Sequence, residues 1–78
     1  NAPEIVDALG GQDNLIEVDN CATRLRLKVK DSSLVDEAAL RQTGAAGIMK
    51  SGESVQVIYG TKVPSIKTNI DEYLESRK

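Results

Sequence analysis

Apolar residues occupy alternate positions of RLRLKVKD, which begins at Arg24, and basic residues fill the positions between them. This period of two predicts a strand with one side facing a core. The preceding NLIEVD alternates more weakly and places Ile16 and Val18 on one side. Only residues 20–23 separate the two strands, and a connection this short cannot make a crossover. We therefore predict an antiparallel hairpin.

A second pair of strands is predicted in GIMKSGESVQVIYG, where Ser51 and Gly52 form a turn between two short apolar segments. Along the later segment, Val55, Val57 and Tyr59 share one face because successive strand residues point to opposite sides. This pattern predicts a second hairpin with a single buried face.

Three segments have helical periodicity instead. In NAPEIVDALGG, the apolar residues share one helical face and two glycines follow them, which predicts a helix over residues 3–9 that stops at Gly10. In DSSLVDEAALRQTG, Ser33 with Asp36 resembles a capping box, and Gly44 can close the C-terminus. The final segment repeats apolar residues at helical spacing after Pro64, which predicts a third helix.

The order helix, hairpin, helix, hairpin, helix predicts an α+β fold. We expect a four-stranded antiparallel sheet of two hairpins, with three helices packed on one face and the other face open to solvent. The 78 residues are enough for one domain only. Because the chain starts abruptly with a helix, we expect residues 1–78 to be a single domain cut from a longer protein.

Composition removes several function classes. The chain has no histidine and one cysteine, so it offers no Cys-His pair, no intramolecular disulfide and no evident metal site, and we expect no cofactor. A net charge of −2 and only two aromatic residues argue against nucleic-acid binding. No apolar run is long enough to span a membrane, and we expect no direct span in this chain.

The one cysteine, Cys21, falls at the predicted tip of the first hairpin, where a thiol is exposed. A thiolate is a strong nucleophile that nearby cations favour. Arg24 and Arg26 point the same way on the following strand, and their planar forks suit a phosphate group. The backbone N–H groups of Ala22, Thr23 and Arg24 could add an anion-binding nest, with the Thr23 hydroxyl as a further donor. The stretch is typical of a thiol that accepts a phosphoryl group.

A structural interpretation of the same residues is also open. Free cysteines are usually small buried hydrophobes, and basic residues on the outer side of a strand commonly serve solubility. The turn-forming neighbours Asp19, Asn20 and Thr23 favour exposure of the thiol. Residue chemistry alone leaves the two interpretations about even.

A resemblance to a known family favours the functional interpretation of Cys21. It is carried by the longer segments EVDNCATRLRLKVKD and VDEAALRQTGAAGIMKSGESVQVIYGTKV. They closely resemble the B domain (EIIB) of the glucose family of bacterial phosphoenolpyruvate:sugar phosphotransferase systems. The most specific parts are C-x-T-R-L-R from Cys21, G-A-x-G from Gly44 and V-Q-x-I-x-G from Val55. The similarity runs from about Ile5 into the last helix.

The resemblance implies a protein-phosphocysteine sugar phosphotransferase. Cys21 would take a phosphoryl group from a histidine of the phosphorylated A domain or protein and pass it to a sugar bound in the membrane C domain. Arg24 and Arg26 would assist transfer to sugar, and Thr23 lies in the same loop. The location implied is the cytoplasmic side of the bacterial cell membrane, as part of a permease.

Two alternatives remain beside it. The first is a non-enzymatic RNA- or protein-binding module that uses the basic stripe of Arg24, Arg26, Lys28 and Lys30. The second, weaker one is a thiol redox sensor, for which a second, resolving cysteine is missing. Incubation with phosphodonor proteins separates phosphoryl transfer from both.

Overall fold

The computed structural model describes residues 2–77, and three α-helices and four β-strands account for most of them. Their order and bounds are α1 (Ala2–Ala8), β1 (Leu15–Asn20), β2 (Arg24–Val29), α2 (Glu37–Gln42), β3 (Gly47–Ser51), β4 (Ser54–Ile58) and α3 (Val63–Ser76). Short 3₁₀ turns precede β1, α2 and α3, at Gln12–Asn14, Ser32–Leu34 and Gly60–Lys62. The predicted α+β fold is confirmed.

The sheet is antiparallel throughout, with strand order β1-β2-β4-β3. The two hairpins therefore lie side by side, joined through β2 and β4. Leu25 lies opposite Val57, and Leu27 lies opposite Val55. All four side chains are buried under the helices. The predicted two hairpins with one covered face are confirmed.

The helices supply the other half of the core. The fully buried residues there come from all three helices and their ends: Ile5, Val6, Leu9, Leu40, Val63 and Ile70. Burying such side chains stabilises the fold by about 1.5–3 kcal/mol each relative to exposure. Packing of this one layer on the sheet is the main source of stability in a domain without a disulfide.

A buried asparagine joins three segments of this core. Asn14 Nδ2 donates to the Leu9 carbonyl (2.8 Å) and the Asp31 carbonyl (3.0 Å), and its Oδ1 accepts from the Asp31 N–H (2.9 Å). The side chain thus ties the end of α1 to the end of β2. Gly10 has a φ of +101°, and a Cβ there would lie 2.6 Å from Asn14 Nδ2. Only glycine fits this junction without displacement.

The weak alternation predicted for the first strand is wrong at its start. The pairing of β1 with β2 shifts register between Leu15 and Glu17, so Ile16 does not share the inner face with Val18. Ile16 is 48% exposed, whereas Leu15 packs against the core. An extra residue of this kind is a β-bulge. Residues on either side of a bulge no longer follow one simple alternation between the two faces.

The predicted start of the second helix is also wrong. Two aspartates each cap a separate element: Asp31 Oδ1 accepts from Ser33 N–H (2.9 Å) at the 3₁₀ turn, and Asp36 Oδ1 accepts from Ala39 N–H (3.1 Å) at α2. Ser33 and Asp36 therefore form no capping box. An ionised carboxylate is a stronger acceptor of backbone N–H groups than a serine hydroxyl.

The predicted end of α2 at Gly44 is confirmed. Gly44 has a φ of +104° and donates to the Arg41 carbonyl (3.1 Å), while the next residue, Ala45, donates to Leu40 (3.4 Å). These two bonds form a Schellman motif. In the second hairpin the turn lies one residue later than predicted, at residues 52–53, because Ser51 pairs with Ser54.

Candidate functional site

The loop between β1 and β2 consists of Cys21, Ala22 and Thr23, and all three residues are exposed. Cys21 N–H donates to the Arg24 carbonyl (3.0 Å) across the loop. The Thr23 carbonyl accepts from Tyr59 N–H (3.1 Å) and Gly60 N–H (2.9 Å). The tip is therefore held by its own hairpin and by the residues that follow β4.

Polar side chains before the loop bond to the backbone at its start. Asp19 Oδ1 accepts from Asn20 N–H (2.8 Å), and Asn20 Nδ2 donates to the Cys21 carbonyl (3.2 Å). These short-range bonds are typical of turn-forming residues. They fix the backbone without covering the thiol, so the predicted exposure of Cys21 at the tip is confirmed.

The pKa of the Cys21 thiol is lowered from its ordinary value. The backbone N–H of Thr23 is the largest cause, desolvation of the thiol comes second and acts in the opposite direction, and the Arg24 N–H follows. The charges of the Arg24 and Arg26 guanidinium groups lower the pKa further, by less. Backbone dipoles of the loop therefore stabilise the thiolate more than the two arginines do.

Two of the three N–H groups of the predicted nest act on the Cys21 thiolate, and anion binding by the loop stays a prediction. Thr23 and Arg24 direct N–H groups to the sulfur, whereas Ala22 N–H is not among the groups that act on it. The Thr23 hydroxyl has no hydrogen-bond partner within residues 2–77 and stays open to a ligand. The loop can thus hold a negative charge on sulfur and has a further donor beside it.

Both arginines lie on the open face of the sheet, on either side of buried Leu25, as their spacing predicts. Arg24 is half-buried. Its Nη1 donates to Gln56 Oε1 at 2.7 Å and lies 3.9 Å from Met49 Sδ. Gln56 and Met49 lie opposite each other on β4 and β3. The Arg24 side chain therefore contacts residues on two other strands of the sheet.

Arg26 has a different environment. It is exposed, and its neighbours across the strands are Asp19 on β1 and Gln56 on β4. The ion pairs found within residues 2–77 join Lys50 to Glu37 and Lys67 to Asp71, and Arg26 takes part in neither. Its guanidinium keeps all of its donors for solvent or a ligand.

The basic stripe of β2 has acidic neighbours. Asp19 lies opposite Arg26, and Glu17 lies opposite Lys28, on the adjacent strand. These four side chains line one shallow depression on the open face. Alternating charges of this kind weaken the attraction of the face for a polyanion such as RNA.

Gln56 is the residue of this site that sequence reasoning missed. Its signal was present, because Val55 and Val57 point inward and the residue between them must point to the open face. Within residues 2–77, no three metal-binding side chains cluster, and no helix is long and apolar enough to cross a bilayer.

Comparisons with known proteins identify the family to which this sequence is similar. Residues 3–36 match the family described as phosphotransferase system, EIIB. The N-acetylglucosamine-specific EIIB component of Streptomyces coelicolor is 45% identical over 73 residues, which cover 94% of this chain and 95% of that protein. The N-acetylglucosamine-specific EIICB component of Bacillus subtilis is 58% identical over 60 residues, or 76% of this chain.

The fold has a solved counterpart as well. A crystal structure of one domain of the PTS system IIabc component from Clostridium difficile superposes with a TM-score of 0.70 at 26% identity, covering 94% of this chain and 84% of that one. Some relatives are much longer. This chain spans 13% of the Bacillus subtilis EIICB component and 14% of the alpha-glucoside-specific EIICB component of Leptotrichia buccalis.

Proposed function

Because this chain belongs to the EIIB family of the sugar phosphotransferase system, in its glucose branch, we propose that Cys21 carries a phosphoryl group from a protein histidine to a sugar. The observation that carries the proposal is the exposed thiol of lowered pKa at the hairpin tip, with the Thr23 and Arg24 amides directed at its sulfur. A nucleophile needs both access and a stabilised anion, and this loop provides both.

In the first transfer, Cys21 Sγ attacks the phosphorus of a phosphohistidine on the A domain. The S–P bond forms as the P–N bond breaks, and the electron pair of that bond stays on the imidazole nitrogen. Because this chain has no histidine, the donor belongs to a partner. The loop amides that stabilise the thiolate lie next to the phosphoryl oxygens once the bond has formed.

In the second transfer, a hydroxyl oxygen of a sugar held in the membrane C domain attacks the phosphorus. The O–P bond forms, the S–P bond breaks, and its electron pair returns to Sγ as the thiolate. The hydroxyl proton passes to a base of the partner or to water. The Arg24 and Arg26 guanidinium groups can offset the charge of the phosphoryl oxygens during this step.

The partners we propose are a histidine-phosphorylated A domain and a sugar-loaded membrane C domain, on the cytoplasmic side of the bacterial cell membrane. Several relatives are named EIICB components, which is consistent with a B domain that works beside a C domain. In those proteins the matching segment is a small part of a longer chain.

The docking surface we propose surrounds Cys21 and is largely apolar. Ala22 is exposed at the tip, Met49 is 54% exposed beside Arg24, and Ile58 lies opposite Arg24 on the open face. The two arginines form its rim, and we expect an acidic counterpart on the A domain. Rim charges of this kind act mainly on the association rate and its salt dependence.

The test is intact-mass analysis after incubation with the general phosphodonor proteins and an A domain. One added phosphate is expected on the wild-type chain and none on Cys21→Ser, since a serine hydroxyl is a far poorer nucleophile at neutral pH. Peptide mapping then locates the phosphate. A phosphate on another residue, or none on the wild-type chain, would refute the proposal.

A further inference from the structure

The two arginines beside Cys21 are held in different ways. Arg24 is half-buried, and its Nη1 is bound to Gln56 Oε1 at 2.7 Å, while Arg26 is exposed and binds no side chain among residues 2–77. A guanidinium has five N–H donors in a fixed plane. Contact through one nitrogen therefore determines where the other donors of Arg24 can point.

Both contacts of Arg24 fall on the same nitrogen. Gln56 Oε1 accepts from Nη1, and Met49 Sδ lies 3.9 Å from that Nη1. The donors left over are Nε–H and the two N–H bonds of Nη2. Nε–H and one Nη2–H are parallel and form the side-on fork of an arginine, which matches two oxygens of a phosphoryl group.

We propose that Gln56 is a positioning residue that holds Arg24 by Nη1 so that its side-on fork binds the phosphoryl group on Cys21. This inference rests on the proposed function. Gln56 does not touch the reacting atoms and acts only through Arg24. The thioether sulfur of Met49 is a second, weaker acceptor for the same nitrogen, at 3.9 Å.

The choice of a neutral amide at position 56 has a physical reason. A carboxylate there would hold Arg24 equally well, but its charge would offset the guanidinium and repel the phosphoryl oxygens. A glutamine oxygen orients the guanidinium and leaves its full charge for the ligand. Gln56 is itself fixed by its place on β4, between buried Val55 and Val57.

This assignment separates the roles of the two arginines. Arg24 is oriented before the phosphoryl group arrives, so its binding costs little side-chain entropy. Arg26 has no such partner and must be ordered by the ligand itself. Removing the Gln56 oxygen should therefore weaken the contribution of Arg24 and leave that of Arg26 unchanged.

The variant that tests this is Gln56→Leu, with Ser54→Ala as its matched control. Ser54 lies on the same strand and the same open face, opposite Lys28. In the intact transporter in membranes, sugar-phosphate formation by Gln56→Leu should fall about 10-fold, the range expected for loss of one hydrogen bond to a charged group. Labelling of Cys21 should stay within about twofold of wild type, and Ser54→Ala should match wild type in both.

A double variant distinguishes positioning from a general structural effect. In an Arg24→Lys background, Gln56→Leu should cause no further loss, since its effect passes through the guanidinium. In an Arg26→Lys background, the loss should remain in full. Losses that multiply with Arg24→Lys, or wild-type sugar transfer by Gln56→Leu alone, would overturn the proposal.

A measurement on the wild-type chain needs no variant. NMR of the ¹⁵N-labelled domain should show the Arg24 Nε–Hε resonance shifting and exchanging more slowly when Cys21 is phosphorylated. An unchanged Arg24 resonance on a phosphorylated domain would refute the role of the side-on fork. Failure of Cys21 to become phosphorylated at all would instead refute the proposed function.

Discussion

The two central strands, β2 and β4, contribute side chains to both faces of the sheet. Neighbouring residues on one strand therefore have different roles. On the covered face, Leu25 and Val57 are fully buried beneath the helices. On the open face, Arg24 reaches Gln56 across the strands, and Arg26 has no side-chain partner within residues 2–77. The covered face supplies packing energy and the open face supplies donors. Stability and phosphoryl transfer should therefore respond to different substitutions.

The largest effect is expected from the covered face. Leu25→Ala should lower the free energy of unfolding by about 3–4 kcal/mol, because it leaves a cavity where β2 packs against β4 and the helices. Urea denaturation measures the loss. Lys28→Gln, on the other face of the same strand, should change it by about 0.5 kcal/mol or less. Equal losses in the two variants would contradict the division between the faces.

The open face should show the reverse pattern. Arg24→Lys and Arg26→Lys keep the charge but lose the planar fork, so sugar-phosphate formation in the intact transporter should fall about 100-fold, or about 2.7 kcal/mol. Unfolding should be almost unchanged, and Cys21 should still become labelled. We expect the first transfer to depend less on the arginines, because the donor would bring its own protein surface.

Two results would change this interpretation. Wild-type sugar phosphorylation by both lysine variants would mean that positive charge alone is sufficient. An equal loss of labelling and of sugar transfer would mean that the arginines also serve acceptance from histidine. Comparing the two steps in one membrane preparation separates these cases.

A polar residue can belong to the stabilising region as well. Asn14→Ala removes three hydrogen bonds and leaves the Leu9 and Asp31 backbone groups without them, so it should cost about 2 kcal/mol of unfolding free energy. Asp13→Ala, the exposed neighbour, is the control and should be nearly neutral. Reactivity of Cys21 in the folded domain should not change, since the junction lies outside its loop. A neutral Asn14→Ala would show that water replaces the lost bonds.

Local patterns were sufficient for much of the fold and for the loop that carries Cys21. Alternation along β2 and β4 predicted both the strands and their buried sides, and Gly44 predicted the end of α2. These features depend on neighbours within a few residues. The bulge at Ile16 depends instead on pairing with β2, which alternation within β1 cannot reveal.

Two of the features that were missed join distant parts of the chain. Arg24 and Gln56 are 32 residues apart, and Asn14 binds Asp31 across 17 residues. The sequence also did not reveal which groups lower the pKa of Cys21 most, because that depends on where the Thr23 N–H points. Sequence chemistry identified the charged side chains but could not weigh them against backbone dipoles.

The smallest predicted effect concerns the relative weight of the groups that lower the pKa of Cys21. The pKa of Cys21 is lowered in the folded state, so its alkylation by iodoacetamide should reach half-maximal rate at a lower pH than in urea, where the loop geometry is lost. By linkage, the thiolate adds stability above the unfolded pKa, and this contribution is lost as the pH falls through the lowered one.

Variants in which a neutral residue replaces each arginine separate the effect of the guanidinium charges on the Cys21 pKa from the effect of the loop backbone. Because the Thr23 N–H is the largest cause of the lowered pKa, Arg24→Gln and Arg26→Gln should each move the alkylation midpoint only slightly upward. Added salt should have a similarly small effect, since it screens exposed charges but not a hydrogen bond made within the loop. A double variant whose midpoint returns to the urea value would mean that the guanidinium charges, and not the loop amides, stabilise the thiolate. A midpoint still well below the urea value would leave Arg24 and Arg26 free for the phosphoryl group that the thiolate receives.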